Sequence, residues 1–152
     1  MQDQIKINDS ITSASQPTEE EIKKLPQKGF KSVVNLRGSG EENQPLSPKD
    51  EGELVQKLGM KYLNIPVSMK EGIKPELVDR FRKEIALLPA PVFVHCYTGK
   101  RAGAFAMIHV ALKECLTGEE ALKKAMSIGF ACDVPQLKDF FVNYINLHRK
   151  IK

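Results

Sequence analysis

The sequence predicts a single α/β domain in which a mostly parallel central sheet is flanked by helices. Three short, β-branched apolar runs alternate with longer segments whose apolar residues fall at helical spacing. Gly or Pro stands at most of the junctions between them. A strand covered on both faces reads as a continuous apolar run, and "SVVNL" and "PVFV" read that way. The chain of 152 residues is long enough for one domain with a real core, and 1–152 is taken as one unit with 1–11 as a loosely ordered N-terminal arm.

Each element follows in order. "SASQP" (13–17) reads as extended chain and a turn. Thr18 then caps a helix with Glu19 to Glu21 in its first turn, where acids favour the dipole, and Gly29 ends it. "FKSVVNL" (30–36) is a buried strand, and "RGSGEENQPLSP" (37–48) is a long polar loop of the kind that often carries function. A helix over 49–58 ends at Gly59, and "MKYLNIPV" (60–67) is the next strand, stopped by Pro66. After the loop "SMKEGIK" (68–74), Pro75 opens a helix with Leu77, Val78, Phe81, Ile85 and Leu88 on one face. "APVFVHC" (90–96) is the third strand, and a helix begins at about Arg101. Helices over 118–128 and 135–149 complete the chain, the last capped by Asp133 and apolar at Leu137, Phe140, Phe141, Tyr144, Ile145 and Leu147.

Composition narrows the function. Hydrophobic residues at 41% and charged residues at 28% are ordinary for a soluble globular chain. A net charge of +4 suits a small anionic ligand but falls short of a nucleic-acid footprint, and the basic "HRKIK" reads as a solvated helix end. No apolar run is long enough to span a membrane, and "MQDQIKINDS" lacks the regions of a signal peptide. Three cysteines, Cys96, Cys115 and Cys132, are too few and too irregularly spaced for a disulfide framework or a zinc site. A reducing, cytoplasmic setting with no metal and no cofactor is expected, and the oligomeric state stays open.

The chemistry concentrates in "CYTGKR". In a parallel sheet, ligands bind beyond the carboxyl ends of the strands, and Cys96 stands at such an end. The thiolate is the nucleophilic form of cysteine, and a helix N-terminus together with Lys100 and Arg101 favours it. The amides of Tyr97, Thr98, Gly99, Lys100, Arg101 and Ala102 form a cradle for a tetrahedral anion, with Gly99 turning the chain tightly. Arg101 can clamp two oxygens of that anion. Arg37, also at a strand end, either makes a second anion contact or pairs with Glu41 or Glu42 to order its loop. His95 is expected to shape the loop through the backbone, and His109 and His148 to be structural. Cys115 is read as core, and Cys132 resolves a Cys96 disulfide only if the fold brings the two thiols together.

"VFVHCYTGKRAG" resembles the cysteine-dependent phosphatases, whose signature is His-Cys-x-x-Gly-x-x-Arg followed by Ser or Thr. With "SQPTEEEIKKL", "GFKSVVNLR", "YLNIPV" and "IGFACDVPQLKDFFVNYI", it is similar to the beta-lactamase-hydrolase-like, phosphatase-like family over about residues 12–148. The resemblance implies a dual-specificity-phosphatase-like architecture, a covalent phosphocysteine on Cys96, phosphoryl binding by Arg101 and a small phosphorylated substrate. Three departures stand out. The arginine comes one residue early, a loop length shared with rhodanese-type sulfurtransferases. Ala102 replaces the hydroxyl residue. The loop expected to hold an acidic proton donor reads "SMKEG", with Glu71 its nearest carboxyl. A persulfide-carrying sulfurtransferase and a non-catalytic oxyanion-binding module are therefore the rival expectations.

Overall fold

Among the described residues, 4–150 of this computed structural model, the strands are β1 (Ile5–Lys6), β2 (Ile11–Ala14), β3 (Ser32–Asn35), β4 (Lys61–Asn64) and β5 (Val92–His95). The helices are α1 (Glu19–Lys24), α2 (Pro48–Lys57), α3 (Pro75–Ile85), α4 (Lys100–Lys113), α5 (Gly118–Ser127) and α6 (Pro135–His148). The sheet order is β1-β2-β5-β3-β4, parallel throughout except for the antiparallel β1–β2 pair. The expected α/β architecture, a mostly parallel sheet with helices on both faces, is what forms.

Alternation along the strands divides the core in two. Val33, Phe93 and Ala14 turn to one face and pack with Ile22, Leu25 and Val55 from the α1 and α2 side. Val34, Val92, Val94 and Ile11 turn to the other, against Phe81, Phe105, Ile108 and Phe141 from α3, α4 and α6. β5 is central, with all four residues buried, so its carboxyl end delivers Cys96 to the middle of the sheet edge. No helix among the described residues is long and apolar enough to cross a membrane.

Three expectations are corrected. Residues 5–6 and 11–14 lie within or beside the segment expected to be a loose arm, yet they form β1 and β2; residues 1–3 lie outside the described residues. The helix expected to run from Thr18 to Gly29 ends at Lys24, and Pro26–Lys28 tightens into a 3₁₀ turn before Gly29 (φ 94°). Pro26 has no N–H to continue the ladder, which explains the change. Asp133 does not cap α6: the cap position is Val134, with no side-chain cap bond, and Asp133 pairs with Lys100 instead. Thr18 does cap α1 in a capping box with Glu21, and Thr117 caps α5 the same way with Glu120.

Candidate active site

β5 stops at His95, and Cys96 begins the four-residue turn into α4. Its side chain is fully buried, and its sulfur accepts hydrogen bonds from the amides of Gly99 (3.2 Å) and Ala102 (3.3 Å). α4 has no side-chain cap, so these first-turn amides are unclaimed by a capping residue and point at the thiol. Gly99 makes the turn possible in two ways. It sits at φ 93°, and a side chain there would come within 3.4 Å of the Ala14 and Ser15 backbone. The end of β2 is thus the back wall of the loop, and the amide of Gln16 donates to the carbonyl of Tyr97 (3.0 Å) to hold it there.

Arg101 lies just inside α4, with its side chain only 12% exposed. Its Nη1 donates to the carbonyl of Val67 (2.7 Å) and to Glu41 Oε2 (3.1 Å), and its Nη2 donates to Glu41 Oε1 (3.0 Å). Burial alone would lower its pKa, but the Glu41 hydrogen bonds and the neighbouring Cys96 sulfur outweigh this and raise it. Glu41 in turn accepts from Arg37 Nε (3.0 Å) and the amide of Gly38 (2.7 Å). Its own burial pushes its pKa up, yet bonds from Arg101, Gly38 and Arg37 win and hold it at about 2. The carboxylate is a fixed negative charge tying two arginines together.

Of the two alternatives for Arg37, the geometry is that of loop ordering. Its side chain is wholly buried, and its donors go to Glu41, to Gln16 Oε1 (2.8 Å) and to the carbonyl of Glu42. Its guanidinium also lies 4.5 Å from the centre of the Tyr97 ring, whose hydroxyl accepts from Asn43 Nδ2 (2.5 Å). Arg37 therefore buttresses the loop from behind and does not face the open cavity. Deeper still, His95 Nε2 meets Glu51 Oε2 at 2.7 Å with both residues buried, and Gln16 bridges Glu51 (3.4 Å) to Arg37.

A cavity of about 820 Å³ opens beside Arg101 and Glu41. Tyr97, Thr98, Lys100 and Arg101 line it from the loop, and Lys70 and Glu42 face them from neighbouring segments. The expected cradle residues therefore divide: those four reach the cavity, while the amides of Gly99 and Ala102 are turned to the sulfur. Lys100 is half-exposed and pairs with Asp133 at 2.8 Å. Glu71 lines a different cavity of about 290 Å³, shared with Gly38, Glu41 and Lys74. Cys132 and Cys96 are both free thiols, and burial pushes the Cys132 pKa up to about 11. Among the described residues no group of three or more His, Cys, Asp or Glu side chains could hold a metal ion.

Sequence reasoning did not assign Glu41 to Arg101. In the sequence Glu41 reads as a partner for Arg37, and the fifty-nine intervening residues hide the second contact. Gln16 and Glu51 gave no signal at all, because both act only through the tertiary fold.

A family model described as "DSP-PTPase phosphatase fused to NAD+ Kinase" matches residues 3–131. A beta-lactamase hydrolase-like protein of Agrobacterium fabrum is 35% identical over 98 residues, 64% of this chain and 22% of that protein. One of the same description from Xylella fastidiosa (strain Temecula1) is 29% identical over 128 residues, 84% of this chain. The chain spans only 28% of the length of that Xylella relative. Among solved structures, a DUF442 protein of Shewanella putrefaciens CN-32 superposes with a TM-score of 0.77 at 25% identity, covering 97% of this chain and 93% of that one.

Proposed function

Because the chain belongs to the family of DSP-PTPase phosphatases fused to NAD+ kinase, we propose that it is a cysteine-dependent phosphatase acting on a small phosphomonoester. The observation that carries this reading is the Cys96 sulfur accepting from the Gly99 and Ala102 amides, next to Arg101, which lines a cavity together with Lys70 and Lys100. Cys96 attacks phosphorus and the P–O ester bond breaks, leaving phosphocysteine and an alkoxide that must be protonated. Loop amides and Arg101 hold the charge on the equatorial oxygens. Water then attacks phosphorus, the S–P bond breaks and phosphate leaves.

Two carboxyls are candidates to protonate the leaving oxygen. Glu42 lines the cavity itself, and Glu71 lines the adjoining one. Glu41 is set aside because both its oxygens already accept bonds from Arg37, Gly38 and Arg101. Glu42→Gln and Glu71→Gln should separate them. Loss of the proton donor lowers turnover of an alkyl phosphate by about 10²–10⁴-fold while leaving an activated aryl phosphate little changed.

A second reading, sulfur transfer through a Cys96 persulfide, is favoured by one feature: the sulfur is fully enclosed, with two amides aimed at it. Reduced protein given either an aryl phosphate or thiosulfate with cyanide, beside Cys96→Ser, distinguishes the two. Cysteine-dependent phosphate release with a trapped phosphoryl adduct supports the phosphatase. Thiocyanate with a gain of one sulfur overturns it.

A further inference from the structure

A second cavity, of about 620 Å³, lies at the opposite end of α4 from Arg101, where α3, α4 and α6 end together. Twelve residues of helix separate Arg101 from Lys113, roughly 18 Å along the axis. Arg82, Lys83, His109, Lys113, His148 and Lys150 line it. Among the described residues, Lys83, Lys113 and Lys150 have no carboxylate partner. Asp79 is the one acidic residue of the lining, and it accepts the hydroxyl of Tyr144, which also accepts from Arg82 (3.2 Å).

Cations at helix C-termini offset the dipole, and that is the simplest reason for basic residues here. The magnitudes do not cancel. Four cations against one carboxylate leave a net of about three charges, and three helix ends supply about half a negative charge each. A second, independent observation concerns His109. It is only 7% exposed, faces this cavity and the one beside it, and makes no hydrogen bond among the described residues. Its ring nitrogens are not sealed in the core, and they reach the cavities that the ring lines. His148 is pinned by its Nδ1 contact to the Tyr144 carbonyl (2.9 Å) and by stacking on the Tyr144 ring, which leaves its Nε2 available.

We propose that this cavity is an anion-binding site, separate from Cys96, that takes a small molecule bearing an oligophosphate group, with His109 as its buried hydrogen-bonding partner. Lysines converging from separate elements suit a group whose charge is spread over several oxygens, and the cavity is of the size that holds a metabolite. Burial, then Lys113 and Arg82, hold the His109 pKa down at about 4, so the ring is neutral near pH 7 and can donate through one nitrogen. Asp79, Lys83, Cys115, His148 and Lys150 are the other titratable groups around it.

Inorganic pyrophosphate is the probe, titrated into the full chain carrying Cys96→Ser and followed by NMR of the histidine rings and backbone amides. The expected result is saturable movement of the His109 and His148 signals, with the His109 titration midpoint rising above about 4 in the complex. Lys83→Glu with Lys113→Glu should weaken that response about tenfold or more, and Lys83→Gln with Lys113→Gln less so, while signals from Tyr97 to Ala102 respond as before. If the charge reversal unfolds the chain, the glutamine pair decides. Pyrophosphate that moves only the Tyr97–Ala102 signals overturns the proposal. So does a His109 response that neither double variant weakens.

Discussion

Glu41 carries four hydrogen bonds on two oxygens, and every donor belongs to the loop it closes or to the arginine it orients. Such charge-assisted bonds are the stronger kind, and a glutamine at this position turns one acceptor into a donor facing guanidinium. Glu41→Gln should therefore lower kcat/KM for an aryl phosphate by about 10–100-fold, through a misdirected Arg101. An unchanged or increased kcat/KM would mean that Glu41 does not hold Arg101 in its working position. Cys96, Gly99 and Arg101, the proposed nucleophile, turn and clamp, stand out in the sequence because they lie within six consecutive residues at a strand end. Glu41's part was not, since neither spacing nor residue type says which of two neighbouring glutamates crosses sixty residues to meet Arg101.

At the scale of elements, α4 is the helix on which the site depends, and it is buried from Ala102 to Leu112. Gly103 lets the Phe130 ring approach: a Cβ there would lie 2.4 Å from it. Phe130 begins the turn that carries Asp133 to Lys100 and Val134 to the cavity. Gly103→Ala gains about 1 kcal/mol of helix propensity and loses about 1–3 kcal/mol to overpacking, so a net loss of stability in urea unfolding is expected. A variant as stable as the parent would show that the ring moves aside freely. The helices and the strands β3, β4 and β5 were readable because their apolar residues repeat at the right period. β1 and β2 were not, because "QIKINDSITSA" mixes short polar and apolar residues, and only pairing with β5 makes a strand of Ile11–Ala14. Asp133 was misread for a related reason: a local capping rule lost to a cation supplied by another helix.

For the whole molecule, acid sensitivity should have two separable causes. His109 resists protonation when folded, at about 4 against an ordinary 6.5, so the unfolded chain binds more protons between those values. Stability therefore falls as pH drops from about 6.5 to 4 and loses nothing further from this group below that. Glu41 has the depressed carboxylate, and its contribution is present above 4.5 and lost as pH falls toward about 2. Thermal unfolding of wild type, His109→Gln and Glu41→Gln across this range should show the upper slope flattened in the first variant and the lower in the second. Parallel profiles for all three would refute the assignment. The β1–β2 hairpin bears on a different property. β1 is two residues long and carries Lys6, so the sheet margin on that side offers little backbone for a foreign strand to join. Without it, the fully buried strand Ile11–Ala14 would present its unpaired amides and carbonyls to solvent. Molecules trimmed at that end would then be prone to join edge to edge, so loss of solubility would be the first sign of damage.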